Sequence, residues 1–354
     1  MSLLSIFLIS LVQLLNSNQE VELVFVGDAM QHIAQIENAK QSDGNYDYST
    51  CLINVEKDIA TPDLAVVNLE CPLGGKPYAG FPCFCAPDEW AKQLKRTGFD
   101  LYLTANNHCL DRRDAGLKRT ISILDDIGVS HIGTYRNSTE REQLSPLIIE
   151  IKGIKFAFLN YTYGTNGITI QDDAIVNIID RDRISKDIDK SRKAGAQALC
   201  VCLHWGDEYQ LLPNKSQRAL ADFLVEKGVD LIIGGHPHVI QPMEIRHNDK
   251  LNKDILIVYS LGNFISNMKT TDTRGGAMVK VTLSKNDNNG ATVKSAHYKL
   301  FYTVPAVGQY KSYTLIPASR PELVPASHKA YFNAFMRNAR RIFSQHNINV
   351  AEIE

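Results

Sequence analysis

The chain has 354 residues, of which 44% are hydrophobic and 22% charged, and its formal net charge is -1. This composition is typical of a globular protein, and the length suits one large domain with an appendage or two domains. The balanced charge argues against a nucleic-acid partner, and the sequence shows neither a block of like charges nor a repeat typical of a solenoid.

Apolar residues dominate the first segment, residues 1–18. The run is too short for a comfortable transmembrane helix, which needs about 20 apolar residues, and its length matches the core of a signal peptide. It lacks a basic start and a clear cleavage site, so the alternative is an N-terminal helix or strand of the fold. We expect an exported protein of the cell envelope or periplasm, or a cytoplasmic one if the segment is not a signal. Membrane association is expected only through this segment.

Short apolar strands then alternate with amphipathic helices, which predicts a layered α/β fold. The predicted strands cover residues 21–26, 64–67, 99–103, 147–161 (a hairpin turning at 152–153), 198–203, 231–233 and 255–259, and the predicted helices cover 48–59, 87–98, 115–127, 185–194 and 214–228. Beyond about residue 267 a hairpin is expected at 277–283 and 291–304, and a last helix at 329–345. We therefore divide the chain into segment 1–18, a main domain at 21–268 and a C-terminal extension at 269–354.

None of the seven cysteines has the spacing of a zinc ribbon. Cys200 and Cys202 alternate along a predicted strand, which favours small buried residues on one face. Cys83 and Cys85 lie in a proline-containing loop and can either pair or stay reduced, so the redox compartment remains open.

Polar residues follow the predicted strands at the point where each strand ends. In open α/β sheets ligands bind at the carboxyl ends of the strands, so these side chains are expected to meet at one edge. Gly234 and Gly235 allow a sharp turn and a close approach of the backbone to a ligand. The residues are Asp28, Glu70, Asn107, His108, His204, His236, His238 and Asn263.

Carboxylate, amide and imidazole groups without a thiolate suit zinc, manganese or iron. Two carboxylates also allow one of them to bridge two ions about 3.5–4 Å apart, an arrangement that supports hydrolysis. The sequence has no nucleophile elbow of a serine hydrolase and no nucleotide-binding P-loop. We therefore predict one or two divalent ions per chain, with Asp28, Glu70, Asn107, His204, His236 and His238 as ligands.

The chain resembles the bacterial capsule-synthesis CapA family, which is linked to poly-γ-glutamate and is similar in fold to the calcineurin-like metallophosphoesterases. The resemblance spans about residues 21–268 and depends on the order of its motifs. These are Gly27-Asp28, Asn68-Leu69-Glu70, Ala105-Asn106-Asn107-His108-Cys109-Leu110-Asp111, His204-Trp205-Gly206-Asp207-Glu208-Tyr209, Gly235-His236-Pro237-His238 and Ser260-Leu261-Gly262-Asn263-Phe264.

The resemblance implies that His236, His204 and Asn107 hold one ion, while Asp28 and His238 hold the other. Two departures from the phosphoesterase pattern bear on this division. Met30 stands where that pattern has a histidine, and His32 is the nearest imidazole; Glu70 stands where it has a bridging aspartate. The first departure removes one expected ligand, so phosphoesterase activity does not follow from the resemblance.

His108 and Asp111 are predicted to act as a catalytic pair. His108 follows the predicted ligand Asn107, and a hydrogen bond from Asp111 would orient its ring and favour its protonated form. A protonated imidazole there can donate a proton to a leaving group. The structural alternative is that Asp111 caps the helix that begins near Arg112.

Other assignments are open between a functional and a structural role. Substrate contacts are considered for Tyr163, Asn166, Glu208 and Asn263, with loop capping or backbone hydrogen bonding as the alternatives. His204 can instead stack in the core, Glu70 can form a salt bridge, Asn107 can hold its turn, and His32 can be a surface residue. All these residues follow strand ends or lie beside them.

Two functions from different classes fit the sequence. The first is a metal-dependent hydrolase that acts on a capsule or envelope polymer, such as a γ-linked glutamyl chain, or on a phosphoester. The second is a non-catalytic assembly or export factor for an anionic capsule polymer, which Met30 favours. The expected partners are an anionic polymer or a small-molecule substrate, together with capsule machinery and without nucleic acid.

Overall fold

The computed structural model describes residues 20–285 and 290–353. The apolar segment predicted at residues 1–18 lies outside the described residues, as does most of the hairpin turn predicted between the last two long strands.

Strands and helices alternate along the described chain. The strands are β1 Glu20–Ala29, β2 Leu64–Leu69, β3 Leu101–Leu103, β4 Ser130–Ile132, β5 Thr134–Tyr135, β6 Leu147–Ile151, β7 Ile154–Thr162, β8 Ile175–Val176, β9 Ala198–His204, β10 Leu231–Gly235, β11 Ile240–Asn248, β12 Lys253–Leu261, β13 Asn263–Ile265, β14 Gly275–Lys285, β15 Ala291–Val304, β16 Thr314–Pro317 and β17 Ala351–Glu352. The α-helices are α1 Ile33–Ala39, α2 Glu56–Ala60, α3 Asp88–Thr97, α4 Arg113–Ile127, α5 Ser138–Leu144, α6 Arg181–Lys193, α7 Lys215–Glu226 and α8 Lys329–His346.

Two large sheets form the centre of the fold. Within the described residues, the larger sheet runs β16-β15-β14-β1-β2-β3-β4, with β13 beside β1 and β17 beside β15. The second sheet runs β11-β12-β10-β9-β7-β6. Strands β1, β2, β3 and β4 are parallel to one another, as are β7, β9, β10 and β12. Parallel strands place their carboxyl ends at one edge, and each sheet therefore has one such edge.

The two sheets pack face to face, with helices on their outer faces. Phe25 of β1 and Ile233 of β10 belong to the same apolar cluster between the sheets. Val24, the neighbour of Phe25, points the opposite way into a second cluster that contains Trp90 of α3. Helices α6 and α7 cover the other sheet through residues such as Ile184. Because both faces of each sheet are covered, the parallel strands are continuous apolar runs. The predicted layered α/β fold is confirmed.

The segment after residue 268 completes the larger sheet. The predicted hairpin is present as the antiparallel pair β14 and β15, and β14 also pairs along β1 from Glu20 to Phe25. Helix α8 buries Phe335 and Phe343 in the cluster between the sheets. The predicted division of the chain at residue 268 stays a prediction.

The helix predicted at residues 48–59 is wrong for most of its length. Only α2, Glu56–Ala60, is helical, and the preceding residues form successive turns. Leu315 of β16 donates its N–H to the carbonyl of Cys51, and Asn54 donates to the carbonyl of Leu315. These bonds to a distant strand use groups that a helix would need, so tertiary contacts override the local periodicity.

Every cysteine of the chain is a free thiol in the structure. Cys200 and Cys202 are buried between the sheets with their sulfurs 3.8 Å apart, which confirms the predicted buried pair on one strand face. Cys83 is exposed and Cys85 is buried. In the part of the chain that the structure describes, no helix is long and apolar enough to cross a membrane.

Candidate metal centre

The carboxyl ends of strands from both sheets meet at one place. Asp28 of β1 lies beside Asn68 of β2 on one side and Asn263 of β13 on the other. In the second sheet, His204 at the end of β9 is paired with Gly235 at the end of β10. Glu70, Asn107, His236 and His238 follow the ends of β2, β3 and β10, and all of them are buried. The six predicted ligands therefore come together, as their positions after the strands predicted.

The absence of a side chain at Gly235 allows the two sheets to approach each other here. A β-carbon on this residue would lie 2.8 Å from Oδ1 of Asp28. The two histidines that follow have left-handed backbone conformations, with φ of 100° at His236 and 57° at His238. Non-glycine residues with such angles are uncommon and cluster at functional sites.

Two groups of three side chains have the geometry of a metal site, and Glu70 belongs to both. The first group is Glu70, His236 and His238, and the second is Asp28, Glu70 and His204. In each group the potential ligand atoms lie within 4.8 Å of one another. This grouping differs from the division that the family resemblance implied, in which His236 and His204 share an ion. The oxygen of Asn107 also lies here, 2.8 Å from Nε2 of His204.

Three buried atoms in this cluster have no hydrogen-bond partner among the described residues. They are both carboxylate oxygens of Glu70 and Nδ1 of His236. Oε1 of Glu70 does lie 3.4 Å from Nε2 of His204 and 3.9 Å from Nε2 of His238, which is within salt-bridge distance. Burying a polar atom without a partner is costly, and native proteins seldom leave such atoms unsatisfied. A divalent cation would satisfy all three, so the residues fit a metal ion.

Two asparagines that the sequence analysis did not assign hold the ligands in place. Asn68 donates to Oδ1 of Asp28 at 2.8 Å and lies 3.3 Å from Nδ1 of His204. Asn106 donates to the oxygen of Asn68 and to the carbonyl of Leu69. Both lie within motifs that pointed to the family, and buried amides beside charged ligands are the signal that could have found them.

The acidic side chains of the cluster differ in how readily they ionise. Burial alone would raise the pKa of Asp28, but the hydrogen bond with His238 and the charges of His204 and His238 lower it. Burial and the negative charge of Asp28 raise the pKa of Glu70 well above its usual value. Burial alone would lower the pKa of His238, whereas Glu70 and Asp28 raise it to about 9. Without a metal, Glu70 and His238 therefore each hold a proton to higher pH than the free side chain would.

The remaining two histidines are neutral. Burial lowers the pKa of His204 to about 3. Burial and the charges of the neighbouring histidines likewise lower the pKa of His236 to about 3. A neutral imidazole has a free lone pair, which is the form that binds a metal.

His108 lies beside the cluster and is oriented by Asp111. Their Nδ1 and Oδ2 atoms are 2.7 Å apart, and the same oxygen accepts the N–H of Phe84 at 2.7 Å. Burial alone would lower the pKa of His108, but the bond to Asp111 and the charge of Glu70 raise it. The Phe84 ring stands edge-on to the imidazole at 4.7 Å. Helix α4 begins at Arg113 without a side-chain cap, so Asp111 does not cap it.

Two of the four residues considered for substrate contact lie in the loop after β7. The ring of Tyr163 is half-exposed and lies 4.5 Å from that of His236. Asn166 accepts a hydrogen bond from Asn107 at 3.1 Å and lies 3.4 Å from Nδ1 of His108. This loop therefore covers the histidine side of the cluster.

The other two differ in exposure. Glu208 is exposed, and the adjacent Tyr209, also exposed, lies 6.4 Å from the ring of His238. Asn263 is buried, with its oxygen 3.0 Å from Nδ1 of His238 and its nitrogen bonded to the carbonyl of Thr273. Its amide is thus engaged by the protein.

The Met30 position, where phosphoesterases have a histidine, is apolar and buried. Met30 packs in the cluster that contains Trp90. His32 is part-buried at the start of α1, where its Nδ1 accepts the N–H of Asn267 and lies 3.2 Å from Gln35. Trp205 stacks on Tyr259 and donates to its carbonyl, so it does not stack on the adjacent His204.

Comparison with known proteins gives first a class and then a family. The chain is similar in fold to a Staphylococcus aureus protein solved as a candidate 5′-nucleotidase in complex with α-ketoglutarate, with a TM-score of 0.52 over 90% of this chain and 58% of that one, at 14% identity. This confirms the metallophosphoesterase-like fold. Residues 22–268 match the bacterial capsule synthesis protein family PGA_cap. The chain belongs to that family.

Two curated relatives agree with this assignment. The chain is 27% identical over 282 residues to the capsule biosynthesis protein CapA of Bacillus anthracis, covering 76% of this chain and 65% of that protein. It is 29% identical over 270 residues to the PGA biosynthesis protein CapA of Bacillus subtilis, covering 74% and 67%. The chain thus spans about two thirds of the length of these relatives.

Proposed function

We propose that this protein is a metal-dependent hydrolase that acts on a capsule or envelope polymer, or on a phosphoester. The observation that carries the proposal is the buried carboxylate of Glu70, shared by two ligand groups and without a hydrogen-bond partner on either oxygen. A purely structural carboxylate would be expected to have such partners.

The ligand set favours zinc, manganese or iron, in one or two ions per chain, because it combines carboxylate and imidazole groups without a thiolate. Glu70, His236 and His238 would hold one ion, and Asp28, Glu70 and His204 the other, with Asn107 beside His204. A divalent ion in such a site supplies Lewis-acid stabilisation of negative charge and lowers the pKa of water.

The role proposed for His108 is that of a proton donor to the leaving group. Asp111 holds its Nδ1, and together with Glu70 favours the protonated form. A buried imidazole beside the ligand cluster, with its pKa raised, is placed to donate a proton without coordinating an ion. Asp111 is then a positioning residue, and Asn166, Tyr163 and Glu208 are proposed to contact substrate.

The proposed substrate and location follow from the curated relatives. Both are named for capsule or PGA biosynthesis, which supports an anionic polymer as substrate, capsule machinery as partner and the cell envelope as the location. Export through residues 1–18 is part of this proposal. Comparing full-length protein in cell fractions with a variant lacking residues 1–18 tests it, because equal distribution would argue against export.

A second candidate function is that of a non-catalytic assembly factor for the same polymer. The observation that favours it is Met30, a buried apolar residue where related enzymes have a histidine ligand. One bound ion or none, with polymer binding but no turnover, would support this candidate.

Elemental analysis together with a substrate panel separates the two candidates. Protein purified without chelator should contain at least one zinc, manganese or iron ion per chain and should hydrolyse at least one member of a panel of phosphoesters and γ-glutamyl peptides. His236→Ala should lower metal content, while the control His247→Ala, an exposed histidine in β11, should not. A wild-type protein that stays metal-free after reconstitution would reject the hydrolase.

A further inference from the structure

A second cavity, of about 470 Å³, lies beside the candidate metal centre. Its wall includes the residues that follow β13, and the structure links this wall directly to the centre. Asn263 lies 3.0 Å from Nδ1 of His238 and donates to the sulfur of Met268, which lines the cavity. Asn267, another lining residue, donates its N–H to His32. The cavity wall therefore lies one side chain away from a residue that contacts the candidate metal centre.

The charges that line this cavity are positive. Lys269 and Arg274 both line it, and neither forms an ion pair within the described part of the chain. Arg274 donates its Nε to the carbonyl of Lys269, and its guanidinium lies over the ring of Tyr331 at 4.4 Å. These contacts fix the guanidinium but neutralise no charge. The nearest acid along the chain, Asp272, accepts a hydrogen bond from Asn338 and is not part of the lining.

Uncharged polar side chains also line the cavity, among them Ser266. His328 and Tyr313 complete the polar lining, and the Tyr313 hydroxyl donates to Asn267 at 2.7 Å.

We propose that this cavity is an anion-binding site, in which Arg274 and Lys269 hold a carboxylate or phosphate group. Two cations without an acidic partner among the described residues, one of them held in place by its own contacts, are the donors that such a group requires. Because the cavity adjoins the metal centre, the group it holds belongs to the molecule that the centre acts on. That last step rests on the proposed function, whereas the anion site itself does not.

Calorimetric titration of the metal-depleted full chain tests the site without any turnover. Sodium glutarate and inorganic phosphate serve as separate probes, which distinguish a carboxylate site from a phosphate site. Wild-type protein should bind at least one of them, and Arg274→Gln should weaken that binding about tenfold or more, as expected for a lost charge-assisted hydrogen bond. Arg274→Lys should retain part of the affinity. Lys193→Gln, an equal charge change on the exposed surface of α6, should not alter it.

Lys269→Gln, which removes the second cation of the cavity, should also weaken binding of the anion. Its melting temperature should equal that of wild type, because Lys269 is exposed, and this separates a loss of binding from a loss of folding. No binding to wild type, or equal affinity in wild type and Arg274→Gln, would overturn the anion site. In the metal-loaded enzyme, Arg274→Gln should raise KM with little change in kcat. An unchanged KM would overturn the link between the anion site and the substrate. The titration would still decide whether the anion site exists.

Discussion

At the scale of single residues, Glu70 and His238 form a candidate metal site that lowers the stability of the metal-free protein. A buried carboxylate without a hydrogen-bond partner destabilises the folded chain unless it is protonated or bound to a cation. Here burial and the neighbouring Asp28 raise the pKa of Glu70, and both carboxylates raise that of His238. The cluster therefore does not stabilise the metal-free fold, but its side chains are well suited to bind a metal ion.

Replacing Glu70 with glutamine separates its effect on metal binding from its effect on the stability of the metal-free protein. Glu70→Gln keeps the shape but removes the ionisable group, so metal content should fall to less than half that of wild type. A group whose folded pKa is raised loses its stabilising contribution as pH increases. The metal-free variant should therefore melt at or above the temperature of metal-free wild type, with a difference that grows as pH rises above 4.5, the usual pKa of glutamate.

Elemental analysis and calorimetric melting check both halves of this prediction. Glu56→Gln, an exposed change at the start of α2, is the control and should alter neither quantity. Undiminished metal content in Glu70→Gln would remove Glu70 from the ligand set. A large drop in the melting temperature of the metal-free variant would instead make Glu70 a structural carboxylate.

His108 can be tested in the same way because its ring is oriented without belonging to either ligand group. His108→Asn should keep metal content and melting temperature while lowering turnover on the best substrate by about 10²–10⁴-fold, the usual range for a lost proton donor. Asp111→Asn should lower turnover less. It should also lower the melting temperature, because Asp111 accepts the Phe84 N–H as well.

The two outcomes that contradict this role are easy to distinguish. Unchanged turnover in metal-replete His108→Asn would exclude His108 from the chemistry. Loss of metal in that variant would make it a ligand.

At the scale of elements, the ends of β9 and β10 bring the second sheet close to the first. Gly235→Ala places a methyl group 2.8 Å from Oδ1 of Asp28, so Asp28 or the backbone of β10 must move. Overpacking of this kind typically costs about 1–3 kcal/mol. The variant should therefore melt at a lower temperature and bind less metal. The control is Gly164→Ala, where an added methyl group has nothing within 4 Å. Equal metal content in Gly235→Ala and the control would show that metal binding does not require the close approach of the two sheets at Gly235.

The strand ends were predictable because a buried parallel strand is a continuous apolar run, and polar residues cluster where that run stops. Asp28, Glu70 and His204 were found in this way. The turns before α2 were not, because Leu315, more than 250 residues later, supplies the hydrogen bonds that replace a helix. The supporting amide of Asn68 was missed for a similar reason: its partners Asp28 and His204 lie on different sheets.

At the scale of the whole molecule, the segment after residue 268 is part of what holds the site. Strand β14, which follows residue 268, pairs with β1, the strand that carries Asp28 one residue before its end. Strand β13, which precedes residue 268, pairs with β1 at Asp28 itself, and its Asn263 donates to Met268, a residue that lines the cavity with Arg274 and Lys269. Residues on both sides of the predicted boundary therefore support the same part of the fold, and the family match over residues 22–268 covers only some of them.

The affinity of the protein for metal should depend on pH. Ligands must lose their protons to bind a cation. The pKa of His238 is raised to about 9 and that of Glu70 is also raised, so metal binding competes with protons at these two residues. Metal affinity should therefore rise as pH increases toward 9, by about tenfold per unit for each proton displaced. Calorimetric titrations in two buffers that differ in ionisation enthalpy should show net proton release at pH 7.

Stability should depend on pH in opposite ways with and without metal. His238 has a pKa raised from 6.5 to about 9, so in the metal-free protein its stabilising contribution is complete below pH 6.5 and is lost as pH rises through 9. A bound cation replaces that proton, and its stabilisation grows with its affinity over the same range. The melting temperature gained on adding metal should therefore increase from pH 6.5 to 9, and Glu70→Gln should reduce that gain. A gain that is constant across this range, with no proton release, would show that the ion binds elsewhere.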